Sequence, residues 1–384
     1  MASVMRGNVV LAPDKFKGSL TAQQAAHAMA QGVRRSNPGL TPVLCAVADG
    51  GEGTLDAVLA AGFERVEAHA CGPTGVPVRT AYARKGTRAV IEMADICGLQ
   101  RLPGAELAPA TASSYGLGTV VRQALDDGCR DIVITVGGSA STDGGAGMLM
   151  ALGAEIVDHR GHPLASGAGG LADVGHVDLS RLHPLLQAAT VTLAADVDSP
   201  LCGPFGAAEV YGPQKGLLAN DIPHIDRNLT RWADVVGTVV GADFRDAPGA
   251  GAAGGVGFAA LAVLHARMRS GIDMILELVE LDQRLPGATV VVTGEGRLDH
   301  QSLRGKAPVG VCRRAHTYGI PTFAIAGVST LTGAAARAAG FTAVRTLNEL
   351  EPDLSRCTEN AADLLSLATE RLIRESTESL IRPG

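Results

Sequence analysis

Short apolar runs that end in polar loops rich in glycine and acid recur along this chain, and no other feature restricts the fold as much. Asn8 to Ala12 leads into Ala12-Pro-Asp-Lys-Phe-Lys-Gly-Ser-Leu20, and Pro42 to Ala48 leads into Asp49-Gly-Gly-Glu-Gly-Thr54. Asp131 to Val136 leads into Gly137–Gly147, Thr190 to Ala195 into Asp196-Val-Asp-Ser-Pro-Leu201, and Ala288 to Thr293 into Gly294-Glu-Gly-Arg-Leu-Asp299. A continuous apolar run of this length, bounded by turn residues, reads as a buried parallel strand. In open parallel sheets ligands bind beyond the carboxyl ends of the strands. The five loops therefore predict a shared cleft.

Helical patterns fill the intervals. Thr21 and Gln24 form a capping-box pair ahead of an alanine-rich stretch to Arg35, and Leu55–Ala61 reads as a helix stopped by Gly62. From Glu64 to Met93 the pattern changes to strands without helices between them, at 76–83 and 88–93. Helices are expected at 117–125, 145–152, 222–239, 256–268 and 274–285, with a loose Gly/Ala segment at 161–174. Strand–helix alternation then returns, with helices at 307–316 and 333–339 and strands at 321–325 and 342–346. The last helix places Ala361, Leu364, Leu365, Ala368 and Leu372 on one stripe. The layout predicted is α/β: two α/β domains around a cleft. One is a discontinuous, Rossmann-like parallel-sheet domain (1–70 plus 287–384); the other is an inserted mixed-sheet domain (71–286).

Composition removes several classes of function. A formal net charge of −6, without a basic run, argues against a nucleic-acid partner. No apolar stretch approaches the length that spans a bilayer, and the N-terminal run MASVMRGNVVLAPDK is too short for a signal peptide, so a cytoplasmic protein is expected. The seven cysteines are scattered and odd in number, as idle thiols of a reducing compartment would be. The ten histidines show no zinc-ligand spacing. There is no Walker A sequence and no G-x-S-x-G.

What remains fits phosphate chemistry. Glycine lets backbone N–H groups approach phosphate oxygens, and a following helix N-terminus adds positive potential. Two glycine loops lead into helices, so Gly137, Gly138 and Ser139, and Gly251, Gly254 and Gly255, are expected to bind nucleotide phosphates. The strand-end acids are Asp14, Asp49, Glu52, Asp143, Asp196, Asp198, Glu295 and Asp299. Mg²⁺ takes one or two carboxylates besides phosphate oxygens and water, and a further carboxylate can accept the proton of an attacking hydroxyl. Glu295 and Asp299 are expected to hold Mg²⁺. Asp196 is expected as the proton acceptor, with Asp49 as its alternative. Lys15 and Lys17 would pair with a substrate carboxylate and Lys306 with phosphate. Arg297, Arg304 and Lys215 are the other nearby cations; for Lys215 the turn made by Tyr211-Gly-Pro-Gln-Lys-Gly216 already accounts for the sequence.

Seven ordered segments together resemble the type-I bacterial glycerate kinase family: APDKFKGSL at 12–20, VADGGEGT at 47–54, IEMA at 91–94, GGSASTDGGAGM at 137–148, YGPQKG at 211–216, PGAGAAGG at 248–255 and TGEGRLDHQSLRGKAPVGV at 293–311. The chain departs from the family pattern at Asp198-Ser199 and at Cys97. The resemblance implies ATP-dependent phosphorylation of D-glycerate, giving 2-phosphoglycerate. Two other readings of the loops stay open: a kinase for another small hydroxy acid, and a non-catalytic sensor of nucleotide or sugar acid. Homo-oligomerisation is likewise left open.

Overall fold

The computed structural model describes residues 6–381, apart from the side chains of Arg304 and of residues 377–381. Met1 to Met5, the start of the N-terminal run, lie outside the described residues. The chain forms two compact units. The first comprises Met1–Asp49, Asp56–Gly62 and Ile272–Gly384; the second comprises Gly50–Leu55 and Phe63–Gly271.

Thirteen strands are formed among the described residues: β1 (Gly7–Pro13), β2 (Leu40–Leu44), β3 (Glu64–Cys71), β4 (Pro77–Lys85), β5 (Arg88–Glu92), β6 (Asp131–Thr135), β7 (Glu155–Asp158), β8 (Val174–Asp178), β9 (Thr190–Ala194), β10 (Arg267–Arg269), β11 (Ala288–Leu298), β12 (Thr322–Ser329) and β13 (Ala343–Thr346). The sheet of the first unit runs β13-β12-β11-β1-β2, with every pair parallel. Its strands come from both ends of the chain, as the alternating pattern predicts. Val9, Leu11, Val290 and Val292 point to one face and are buried against helices Ala22–Ser36 and Ala361–Ile381 through Ala25, Met29, Leu365, Ala368 and Leu372. Ala324 and Ala326 face the other way, toward Cys312 and Ala336. The stripe expected on the last helix is buried at Ala361, Leu365, Ala368 and Leu372, and Leu364 is half-buried. The capping box also forms: Gln24 N donates to Thr21 Oγ1, and Thr21 N donates to Gln24 Oε1.

The second unit holds a mixed sheet, β10-β9-β6-β5-β4-β3, in which β3–β4 and β4–β5 are antiparallel and the rest are parallel. A large apolar core surrounds it, and Trp232 is wholly buried there with Nε1 donating to Gly144 O at 3.0 Å. Three expectations change. The helix expected at 256–268 has helical backbone from Val256, after left-handed residues at 253–255, but it stops at Ala262, and His265, at φ +50°, turns the chain into β10. The helix expected at 274–285 breaks where Glu280 adopts φ +56°, leaving Gly271–Leu278 and Leu281–Arg284. The loose segment at 161–174 connects the strands of a small antiparallel pair, β7 with β8, and holds a short helix, Gly167–Gly170; the two strands are too short to stand out by periodicity.

No disulfide forms, and five of the seven cysteines are buried. Among the described residues no helix is long and apolar enough to cross a membrane.

The contact between the first and last helices depends on Gly32. A Cβ there would lie 2.3 Å from Ser366 O and 2.8 Å from Thr369 Cβ. Gly32→Val should force the two helices apart and cost about 1–3 kcal/mol. The expected result is a clearly lowered Tm in a thermal melt; an unchanged Tm would contradict this packing.

Candidate active site

In the first unit the site begins with strand order. From β1 the chain passes through helix Ala22–Ser36 to β2 on one side, and from β11 through helix Ala307–His316 to β12 on the other. The winding therefore reverses between β1 and β11, and loops beyond that point diverge to leave room for a ligand. Asp14 follows the last residue of β1, and Glu295 lies within β11 one residue beyond Gly294, the partner of Pro13. Asp14 N donates to Gly294 O at 2.8 Å and Gly296 N to Lys15 O at 3.4 Å, so the two acidic segments are bound through their backbones. A Cβ on Gly294 would lie 2.0 Å from Ile325 O, and one on Gly296 3.0 Å from Lys17 N. Glycine is what allows these backbones to approach.

Both acids are buried, Asp14 at 6% and Glu295 at 8% exposure. Burial, then the neighbouring charge of Asp49, pushes the Asp14 carboxyl from 3.8 up to about 8; Lys15 opposes the rise. Burial pushes Glu295 from 4.5 up to about 7, against the pull of Ser302 and Lys306. Glu295 Oε1 is buried without a hydrogen-bond partner. Asp299 is half-buried and Oδ1 accepts from Gln301 N and Ser302 N. Lys15 and Lys306 are half-buried, and Lys17 is exposed.

The loops of the second unit are organised differently. Asp143 is 1% exposed, and its carboxylate accepts from Ser114 N (2.7 Å), Ser114 Oγ (2.9 Å), Ser113 Oγ, Gly145 N and Gly147 N (each 3.2 Å). Glu92, of the IEMA segment, accepts from Gly53 N at 3.1 Å and Leu55 N at 2.7 Å and so holds the 50–55 loop. Gly137 N donates to Gly50 O, and a Cβ on Gly137 would lie 2.6 Å from Gly51 Cα.

The family model described as the glycerate kinase family matches residues 9–377. The chain is 42% identical over 326 residues to a glycerate 2-kinase of Escherichia coli K12, covering 84% of this chain and 85% of that one. It is 41% identical over 322 residues to a glycerate kinase of Halalkalibacterium halodurans, covering 83% and 85%. A crystal structure from Salmonella typhimurium LT2, provisionally named a glycerate kinase 2, superposes with a TM-score of 0.85 at 37% identity, covering 98% of this chain and all of that one.

The chain belongs to the glycerate kinase family. It is a kinase of two α/β units, and the sequence resemblance is thereby explained along nearly its whole length.

The structure brings together Asp14, Lys15, Asp49, Glu295, Asp299 and Lys306 in the first unit of this kinase, where their charges act on one another. Lys17 stands in the same loop as Asp14. The side chain of Arg304 lies outside the described residues. In the second unit Gly138 is exposed at φ +75°, while Gly137 is half-buried and Ser139 is buried. The helix after Gly145 was expected to offer its N-terminal N–H groups to phosphate, but the carboxylate of Asp143 occupies that place. At Gly251, Gly254 and Gly255 the space beside Cα is filled by Pro200 O, Ser141 O and Gly144 Cα at 2.3, 2.1 and 2.6 Å. Loop packing accounts for glycine at all three without a ligand. Asp196 is exposed, and its Oδ1 accepts from Ser270 Oγ at 2.9 Å and Gly271 N at 2.8 Å.

Sequence reasoning passed over two residues. Asp14 appears among the strand-end acids without a role, because burial is invisible in a loop sequence. Lys215 was set aside as part of a turn, yet it is 2% exposed and Nζ donates to Ser141 O at 2.5 Å.

Mg²⁺ can be tested against this chemistry. Among the described residues no three His, Cys, Asp or Glu side chains form a ready-made metal cage. Mg²⁺ needs fewer protein ligands, since phosphate oxygens and water complete its shell. The unpartnered Oε1 of Glu295, in a carboxyl raised by burial, is a group that a cation would satisfy. The residues present therefore fit Mg²⁺.

Burial also pushes Lys215 down from 10.5 to about 7, opposed by the charge of Asp143. Its pKa is thus lower in the folded chain than in the unfolded one. Between pH 7 and about 10 the unfolded chain binds the extra proton, so this lysine makes stability rise with pH there; below pH 7 its full penalty is present. Relative to Lys215→Met, the wild type should gain stability as pH is raised from 7 to 9 in parallel melts. A constant difference would refute the shift.

Proposed function

We propose that this kinase transfers the γ-phosphoryl group of ATP to D-glycerate, forming 2-phosphoglycerate and ADP with Mg²⁺ present. The observation that carries the reading is the pair of buried carboxyls, Asp14 and Glu295, at the reversal of winding between β1 and β11. The name of the Escherichia coli relative, glycerate 2-kinase, supports the position phosphorylated.

In this reading Glu295 and Asp299 hold Mg²⁺, which supplies positive charge against the nucleotide phosphates. Lys306 pairs with phosphate, and Lys15 and Lys17 pair with the glycerate carboxylate by charge-assisted hydrogen bonds. Gly138 and Ser139 offer N–H and hydroxyl groups to the nucleotide, beside Gly137, whose own N–H is held by Gly50 O. The proton of the glycerate hydroxyl passes to a carboxylate, and Asp14 suits this better than Asp196. A base works best when its pKa lies near the operating pH, and burial brings Asp14 there. Asp196 already accepts two hydrogen bonds at one oxygen, from Ser270 Oγ and Gly271 N, and so serves to hold that segment. Asp49, whose charge acts on Asp14, remains the alternative.

Purified protein given ATP, Mg²⁺ and D-glycerate should release ADP and a phosphoglycerate identified as the 2-isomer by NMR. A chelator should abolish turnover. A panel of other small hydroxy acids should react more slowly, and equal turnover of several would favour a broader kinase.

Asp14→Asn keeps nearly the same shape and removes the basic oxygen. Its kcat should fall by about 10²–10⁴, with a much smaller change in KM. Asp196→Asn should retain most of its kcat. The reverse pattern in steady-state assays would exchange the two roles.

A further inference from the structure

Three glycine-rich loops of the second unit meet at one buried ammonium group. Lys215 stands in a single helical turn, Pro213–Lys215, closed by Gly216 at φ +98°. Nζ donates to the carbonyl of Ser141, in the 137–147 loop. The third loop closes over the same point. Gly144 N donates to Gly254 O at 2.9 Å, and a Cβ on Gly254 would lie 2.1 Å from Ser141 O and 2.9 Å from Lys215 Nζ. The negative charge of Asp143 also acts on the lysine.

Within the 137–147 loop Asp143 is tethered by its side chain, but Ser141 and Thr142 before it are not. Ser141 Oγ and Thr142 Oγ1 are wholly buried and have no hydrogen-bond partner. The bond from Lys215 therefore holds a stretch whose hydroxyl groups hold nothing. Stability alone does not explain a lysine here. Burying an ammonium is costly, and an apolar side chain of similar volume is often as stable or more so. Asp143 would not be stranded by such a change, because it accepts five other hydrogen bonds.

We propose that Lys215 is a positioning residue for phosphoryl transfer: by fixing the Ser141 carbonyl it sets the conformation in which Gly137–Ser139 meet the nucleotide. The proposal rests on the assignment of Gly137–Ser139 to nucleotide phosphates made above. Lys215 itself, buried beneath the loop, acts through the loop. Its removal therefore affects the nucleotide and leaves the fold and glycerate recognition in place.

The test uses full-length Lys215→Met, with Tm measured beside initial rates at varied ATP and varied D-glycerate. The expected result is a Tm equal to or above wild type, a KM for ATP raised about tenfold or more, a lowered kcat and an unchanged KM for glycerate. Misplacement of a positioning group by about 1 Å is enough for effects of this size. Lys215→Gln, which keeps an N–H donor, should recover part of the loss. A folded Lys215→Met with kcat/KM for ATP within about twofold of wild type overturns the proposal, and so does loss of fold in both variants, which would make the role structural. Absence of glycerate phosphorylation in the wild type would instead remove the functional reading beneath it.

Discussion

The parallel pairing of β1 with β11 is the constraint on which the rest of the first unit depends. It joins residues 8–13 to residues 288–294, segments far apart in the chain, at the centre of one sheet. Each strand is apolar enough to be buried on both faces, so neither has an alternative place on the surface. Once they pair, the segments leaving their carboxyl ends must lie together. Asp14 and Glu295 are thereby withdrawn from water, although neither sequence segment is apolar.

The two units treat their acids in opposite ways. In the second unit Asp143 and Glu92 receive backbone N–H groups, and Asp143 receives two hydroxyls besides. Carboxylates so bonded are anchors: they satisfy loop and helix ends. In the first unit Asp14 accepts from Lys15 N, and Glu295 keeps a buried oxygen without a partner. Burial with few compensating donors favours binding of a proton or a cation. This difference in hydrogen bonding, more than any difference in residue type, separates the acids of the two units.

Much of the architecture was legible beforehand because its signals are local. Apolar runs, the Thr21–Gln24 cap and the stripe on the last helix each depend on neighbours within a few residues, and each forms as read. The misread elements have equally local causes that periodicity does not register. Left-handed backbone at His265 and Glu280 interrupts patterns that read as continuous helix, and the strands of the β7–β8 pair are too short to show alternation.

The sequence by itself determined the α/β class, the strand-end location of the glycine and acid loops and, through seven ordered segments, the kinase family. Tertiary structure alone decided how each loop residue is buried and bonded. Gly254 is glycine because Ser141 O and Lys215 Nζ occupy the space beside it, and Lys215 is a buried tether although its own segment reads as an ordinary turn. Asp14 and Asp143 look alike in their loops, yet one has few donors and the other five. The physical reason is that burial and hydrogen-bond supply are set by segments far away in the chain, whereas propensity and periodicity report only on the segment itself.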